Sequence, residues 1–283
     1  MVLAAGLGTR LRPLTELRAK PLVPVGDRPA LAHVLDRLEG AGISRVVVNA
    51  HHHLDQLRAF ARNRRSLHRS TLSLSEERDL LGTAGGIAHA GPLLGPGEVL
   101  LWNADILADV DLAALLAGRG GEATLVVQPL PSGQGSVGVD GQGHIVRLRT
   151  ERFGEEVQGG QFLGIHVLGA ALRARLPEHG GLIEDVYVPA LARGETLRAW
   201  PFDGPWHDIG TLATYLDANL AWLAARGEHA WVGLGGQVEA GVALDRAIVG
   251  EGAHVMGEGV LRRCVVWPGA TAIAPLEEQV VTA

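Results

Sequence analysis

Two glycines one residue apart, followed by a threonine and an arginine, stand in "LAAGLGTR" at residues 3–10. Gly6 and Gly8 carry no side chain to hold an anion away, and the backbone N–H groups of such a turn point inward. Arg10 adds a planar, bidentate charge that suits phosphate oxygens. A dinucleotide turn, G-x-G-x-x-G, would need glycine where this chain has Leu11, and no G-K-[ST] follows as in a P-loop. Ten residues on, "AKPLVPVGDRP" stiffens Lys20 with Pro21 and Pro24. Taken alone, the first stretch is either a phosphate cradle or a structural turn, and Lys20 is either a phosphate-directed charge or a solvated loop lysine.

The totals narrow the partners. The chain has 283 residues, 47% hydrophobic and 20% charged, with a net charge of −6. That balance excludes a nucleic acid held by broad phosphate neutralisation, which needs a basic face, but leaves room for small phosphorylated ligands. The single cysteine, Cys264, rules out an internal disulfide and a cysteine-based zinc site. No apolar run reaches the roughly 18 residues of a membrane span, and "MVLAAG" followed by Arg10 and Arg12 is too short for a signal-peptide core. The expected compartment is the cytoplasm.

Elements that must position these groups alternate along the first two-thirds of the chain. "MVLAA", "RVVVNA", "TLSLS", "EVLLWNAD" and "ATLVVQPL" read as strands. "PALAHVLDRLEGAG", "HLDQLRAFARN", "GTAGGIAHAGPLL" and "DLAALLAG" read as helices between them. Such alternation predicts βαβ units and a largely parallel, Rossmann-like α/β sheet. Ligands then bind beyond the carboxyl ends of the strands, where Gly6 and Asp105 would face one crevice. Further on, "SVGVDGQGHIVRLRT" reads as a hairpin, "FLGIHVLG" and "TLRAWPFD" as strands, and "IEDVYVPALARG" and "TLATYLDANLAWLAARG" as helices. In the last of these, Leu212, Tyr215, Leu216, Leu220 and Leu223 are expected in the core. From about Gly235 small aliphatic residues recur near every sixth position, through Ile248, His254, Val260 and Val266, with Gly252 and Gly269 at turns. This pattern predicts a short parallel β-helix of two or three coils. The expected domains are 1–228 and 235–283.

The ordered set resembles the sugar-1-phosphate nucleotidylyltransferases, also called nucleotide-sugar pyrophosphorylases. It runs from "LAAGLGTRLRPLTELRAKPLVPVGDRPALAHVLDRL" through "LGTAGGIAHA", "LLWNAD", "FLGIHVL" and "IEDVYVPAL" to "PWHDIGTLATYLDANL". The resemblance covers about residues 1 to 225, and the tail resembles the left-handed β-helix that many members append. It implies transfer of a nucleotidyl group from an NTP to a sugar 1-phosphate, with pyrophosphate released and Mg²⁺ as cofactor. Two polyanions must meet, so catalysis is mostly positioning and electrostatic stabilisation. By this resemblance Arg10, Lys20 and Asp105 are catalytic, and Asp105 and Asp208 hold the metal. Leu3, Ala4, Ala5, Gly6, Gly8, Thr9, Arg10, Gly82 and Thr83 bind the nucleotide. Asn103, Gly164 and Glu184 bind the sugar.

There are departures from the family pattern. Many members carry E-K-P near residue 150, with a lysine on the sugar phosphate; here the nearest match is "TERFG", so either Arg152 replaces it or that contact is missing. Ala104 stands where glycine often precedes Asp105. The chain begins at its first strand, so that strand is short or the true start lies upstream. "HHH" at 51–53 reads as a solvated loop, and Trp206 as core or as a floor under the sugar. Within the family the chain is most similar to mannose-1-phosphate guanylyltransferases and to uridylyltransferases acting on N-acetylmuramic acid 1-phosphate, leaning to GTP with mannose 1-phosphate or a related sugar. The alternatives are UTP with N-acetylmuramic acid 1-phosphate or another hexose 1-phosphate, a non-catalytic nucleotide-sugar-binding regulatory subunit, and a cytidylyltransferase of choline phosphate type. Homo-oligomers are compatible with exposed β-helix ends. The tail is expected to serve association or stability more than chemistry.

Overall fold

The structure is a computed structural model that describes residues 1–65 and 70–282. By contacts the chain divides into two units, Met1–Gly6 with Val34–Trp206, and Leu7–His33 with His207–Ala283.

Among the described residues of the first unit, ten strands form one sheet. They are β1 (Val2–Leu3), β2 (Arg45–Ala50), β3 (Thr71–Glu76), β4 (Val99–Asn103), β5 (Ala123–Leu130), β6 (Val137–Val139), β7 (Ile145–Leu148), β8 (Glu151–Arg152), β9 (Gln158–Leu168) and β10 (Leu197–Pro201). The order runs β8-β7-β6-β9-β4-β1-β2-β3, with β5 joined to β9 and β10 to β5. The β4-β1-β2-β3 half is parallel, as the alternation of strands and helices predicts. The other half is built on β9, which runs antiparallel to β4, β5 and β6. Only β10 is parallel there, to β5. The reason is local: the hairpin β6–β7 turns at Asp140, whose side chain accepts the N–H groups of Gln142 and His144, and no helix intervenes.

The apolar run of β2 is buried from Val46 to Ala50, as a strand covered on both faces requires. Helix α1 (Ala30–Gly40) buries the stripe that its spacing predicts, Leu31, Val34, Leu35 and Leu38. Helix α2 (Leu54–Arg65) follows β2, and helix α3 (Gly82–His89) follows β3. Strand β1 is shorter than "MVLAA". After Leu3 the N–H of Ala4 turns away from the ladder to the Asn49 side chain.

In the second unit helix α4 (Leu212–Ala225) begins at Thr211, whose hydroxyl and that of Thr214 form a reciprocal capping box. Tyr215, Leu216 and Leu223 are buried as expected, whereas Leu212 is exposed because it sits in the first turn, off the buried stripe. Beyond it the chain climbs in parallel coils. Ala230–Val232, Ala247–Val249, Val265–Val266 and Val280–Val281 stack in one sheet. Gln237–Val238 and Val242–Asp245 stack on His254–Arg262, which carries Thr271–Glu277. This is a short β-helix. Its phase differs from the six-residue reading at two positions: Ile248 and Val266 face the interior, but Ala253, Val255 and Leu261 do so in place of His254 and Val260. Each coil pairs Ile248 with Val265 and His254 with Thr271, a repeat that falls short of three whole hexads and so slips the register. Gly252 and Gly269 take left-handed turns, as expected of them.

Candidate active site

The parallel half of the first unit's sheet ends in a cavity of about 240 Å³. Strand β1 delivers Leu3, Ala4, Ala5 and Gly6 to it, and β4 delivers Asn103 and Asp105. The turn into α3 delivers Gly82 and Thr83. Eight of the residues expected to bind nucleotide, sugar or metal therefore line one crevice at the carboxyl ends of the strands, the place such sheets offer a ligand. Three further lining residues, Asn49, Glu77 and Leu80, are not among the expected ones.

Asn49 and Glu77 build the buried side of this cavity, and both are nearly inaccessible to solvent. The Asn49 amide oxygen accepts the N–H of Ala4 at 2.7 Å, and its amide nitrogen donates to Glu77 Oε1 at 2.7 Å. Glu77 Oε2 accepts the N–H of Leu81 at 3.3 Å. A side chain at Gly86 would meet Glu77 Oε1 at 2.6 Å and Asn49 Nδ2 at 2.9 Å, so α3 needs glycine there to lie over the pair. The result is a polar bracket tying the end of β1 to the turn after β3. One signal for it stood in the sequence: the end of "TLSLSEE" is the carboxyl end of a parallel strand, five residues before Gly82.

The Gly82–Thr83 turn is clasped from the other side. Gly82 has φ +75, and a Cβ on it would lie 2.3 Å from the carbonyl oxygen of Gly180. Thr83 Oγ1 accepts the N–H of Leu182 at 2.7 Å. Glu184 opens the helical turn Ile183–Tyr187 just beyond this clasp. Its carboxylate is half exposed and pairs with Arg149 at 2.7 Å. Gly164, also left-handed at φ +73, abuts Asn103, whose Nδ2 would lie 2.3 Å from any Cβ there. Asn103 and Gly164 thus come together.

Arg152 does not join Glu184. It is largely exposed and stands 3.8 Å from Glu156. Glu156 is already held by Arg147, which keeps its carboxyl far below the ordinary range, at about 2. The same buried guanidinium donates to the carbonyls of Gln134, Gly135, Val137 and Arg149. Arg149, held in this way at φ +55, is the cation presented to Glu184. Trp206 is neither plain core nor shown as a floor: it is half buried and donates its indole N–H to Gln128 Oε1 at 3.0 Å. His51, in the expected loop, hydrogen-bonds the Glu77 carbonyl through Nδ1.

The remaining expected residues, Gly8, Thr9, Arg10, Lys20 and Asp208, belong to the second unit. Gly8 has φ +64; a Cβ on it would lie 2.7 Å from Thr15 Cγ2 and 3.2 Å from Lys20 Cβ. Thr15 donates its hydroxyl to the Gly8 carbonyl at 2.9 Å. The glycine turn and Lys20 are therefore packed side by side, with Thr15 as the pin. Thr9 and Arg10 follow on an exposed single turn of helix, Thr9–Leu11. Asp208 ends the strand Trp206–Asp208, and a Cβ on Gly210 would come within 3.0 Å of both its carboxylate oxygens. Among the described residues no three or more His, Cys, Asp or Glu side chains gather as a metal cage. No helix among them is long and apolar enough to cross a membrane.

The nucleotidyl transferase family matches residues 1–225. The chain belongs to that family. Curated relatives agree with it. A mannose-1-phosphate guanyltransferase of Schizosaccharomyces pombe is 28% identical over 81% of this chain and 65% of its own length. A probable mannose-1-phosphate guanylyltransferase 1 of Oryza sativa is 29% identical over 95% of this chain and 81% of its own. The chain thus spans less than two-thirds of the S. pombe protein. HddC from Yersinia pseudotuberculosis, also solved with GMP-PN, shares the fold at a TM-score of 0.66 and 20% identity, over 78% of this chain and 97% of its own. The match covers the cavity just described, from Leu3 to Asp105.

Proposed function

We propose that this nucleotidyl transferase joins GTP to mannose 1-phosphate or a closely related hexose 1-phosphate, releasing pyrophosphate and forming the GDP-sugar. The observation that carries the nucleotide choice is Glu77 in the cavity wall. A carboxylate only accepts hydrogen bonds, through about four lone-pair directions. Asn49 and Leu81 occupy one on each oxygen. The two that remain suit a base edge with two adjacent donors. Guanine has such an edge in N1–H and its 2-amino group. Uracil and thymine offer one N–H between two carbonyl oxygens, which a carboxylate repels. The names of the relatives support the same choice.

The reaction is an in-line displacement. An oxygen of the sugar phosphate attacks the α-phosphorus of the nucleotide, that P–O bond forms, and the bond to the β-phosphate oxygen breaks with its electron pair leaving on pyrophosphate. Backbone N–H groups from Gly6 to Arg10 cradle the phosphates, with Gly8 and Thr9 in the turn. Arg10 meets the β- and γ-phosphates, and Lys20 meets charge around the attacked phosphorus. Leu3, Ala4, Ala5, Gly82 and Thr83 take the base and ribose through backbone groups, while Asn103, Gly164 and Glu184 take the sugar. Arg149, rather than Arg152, is the cation available to the sugar phosphate, since it is the one paired with Glu184. Asp105 and Asp208 offer the hard carboxylate oxygens that Mg²⁺ would take alongside retained waters and substrate oxygens. When bound, the ion neutralises phosphate charge. In this reading 1–228 is the catalytic domain, 235–283 the β-helix tail, and the cytoplasm the compartment.

The test is pyrophosphate release by purified protein with Mg²⁺ across four NTPs and a panel of sugar 1-phosphates. A single strong signal with GTP and a mannose-type sugar supports the reading. A strong signal with UTP moves the assignment to the uridylyltransferase alternative. Nucleotide-sugar binding without turnover moves it to the regulatory subunit.

A further inference from the structure

The coils at the C-terminus touch the Lys20 loop through a chain of buried polar contacts inside the second unit. Trp267, in the turn after Val265–Val266, is almost wholly buried and donates its indole N–H to the Tyr215 hydroxyl at 3.0 Å. Tyr215, on the first turns of α4, is fully buried and donates that hydroxyl to the Pro24 carbonyl at 2.6 Å. One turn further along α4, Asn219 accepts the N–H of Gly26 at 2.9 Å and donates to the Tyr215 carbonyl. Gly26 is left-handed at φ +61 and lies flat on the Trp222 indole, so close that a Cβ would sit 2.1 Å from it. On the other side of Lys20, the Arg18 guanidinium lies over the Trp267 ring, 5.0 Å from its centroid.

Lys20 is therefore bracketed. Two residues before it, a side chain rests on Trp267; four residues after it, a carbonyl is held by a hydroxyl that Trp267 also holds. Between the brackets the Lys20–Leu22 turn is closed by short hydrogen bonds, Leu22 to Ala19 and Val23 to Lys20. Lys20 in turn packs against Gly8. A hydroxyl that donates to one buried group and accepts from another is fully committed, and removing it leaves the Pro24 carbonyl without that donor and the Trp267 N–H without that acceptor.

We infer that Trp267 and Tyr215 are positioning residues for Lys20, so that the β-helix coil bearing Trp267 is a working part of the transfer site rather than a separate association module. The inference rests on the role proposed above for Lys20. A lysine displaced by a fraction of an ångström from a phosphate in flight loses much of its effect, while the base and ribose contacts of the first unit are untouched.

The variants are Tyr215→Phe, which removes one oxygen and keeps the ring, Trp267→Phe, and Lys20→Ala, each in the full chain. Leu223→Ala serves as a control on the same helix, a buried leucine outside the strut. Far below the melting temperature, Tyr215→Phe and Trp267→Phe are expected to lower kcat about 5- to 20-fold with nucleotide affinity unchanged. Leu223→Ala is expected to lower the melting temperature without lowering kcat. Adding Tyr215→Phe to Lys20→Ala should cost little more, because the strut then has nothing to position. If Tyr215→Phe and Trp267→Phe keep wild-type kcat while Lys20→Ala is impaired, the strut is refuted and the reading of Lys20 stands. If their kcat falls only as Leu223→Ala's does, the role is merely structural and the inference is refuted. If Lys20→Ala itself has wild-type kcat, both fall together. Should Tyr215→Phe fail to fold, Trp267→Phe with the Lys20→Ala pairing decides the question alone.

Discussion

Replacing Glu77 by glutamine exchanges one carboxylate oxygen for an amide and removes a charge, while leaving the shape of the cavity wall intact. Asn49 can still donate to the remaining oxygen, so the bracket that holds Ala4 survives, while the new amide nitrogen no longer accepts the Leu81 N–H. What changes is the pair of directions left for a base. With glutamate both accept; with glutamine one accepts and one donates. A guanine edge then loses one charge-assisted hydrogen bond and meets a donor with a donor. Hydrogen bonds to charged groups are worth about 1.5–3 kcal/mol, which converts to a loss of roughly 10- to 150-fold in kcat/KM for GTP. The uracil edge, one donor beside an acceptor, matches the new amide, so kcat/KM for UTP should rise. The assay is pyrophosphate release under subsaturating GTP and UTP, with Asn49→Ala as comparison. Asn49→Ala removes the acceptor for Ala4 and should depress both nucleotides alike. If Glu77→Gln also depresses both by the same factor, Glu77 acts only through the Asn49 bracket, and the argument for guanine from this wall is wrong.

Other expectations follow from the same geometry. Gly8→Ala forces a Cβ against Thr15 and Lys20 in a left-handed turn, and kcat/KM should fall roughly 10- to 100-fold with little loss of folding, measured by turnover beside circular dichroism. Arg149→Ala should raise KM for the sugar 1-phosphate at least about tenfold, the loss of one charge-assisted bond, while Arg152→Ala should not; the reverse order would return the role to Arg152. His166 is fully buried, with neither ring nitrogen hydrogen-bonded among the described residues, and burial pushes its pKa down to about 3. An unfolded histidine titrates near 6.5, so the unfolded chain binds the extra proton and stability drains away as pH falls from about 6.5 towards 3. At pH 5 that penalty is about 2 kcal/mol. His166→Leu should therefore raise the melting temperature more at pH 5 than at pH 7.5; an equal shift at both would show that the imidazole is not the cause.

Much of this site was legible because its parts sit at ends of strands that announce themselves. "RVVVNA" and "EVLLWNAD" are apolar runs with polar tips, and in a parallel sheet the tips must converge. The bracket of Asn49 and Glu77 is less legible: Asn49 is one polar residue at the end of an apolar strand and Glu77 one just past a strand, and only the fold makes one accept from Ala4 and buries the other beneath Gly86. Arg149 was hidden by backbone conformation. Sequence spacing favours Arg152, but Arg147 ties the hairpin through five carbonyl and carboxylate contacts and turns Arg149 towards Glu184. The β-helix is legible as a repeat but not in its phase, since six-residue counting has no way to register a coil that closes early.

The buried contacts of Pro24 with Tyr215 and of Gly26 with Asn219 join residues 191 and 193 positions apart. A chain emerging from a ribosome makes its loop at residues 8–20 within the first seconds and then waits. At roughly 5–20 residues per second, about 10–40 s pass before α4 arrives to grip that loop, and the Trp267 coil comes later still. During that interval the apolar segment "KPLVPV" has only its local contacts with Arg28–Pro29, Ala30 and His33 among the described ones, and its face towards α4 is open to wrong partners. A truncated message or a stalled ribosome therefore leaves a product with the strands of the first unit's cavity already made and the Lys20 loop not yet gripped by α4, a species for chaperones and proteases.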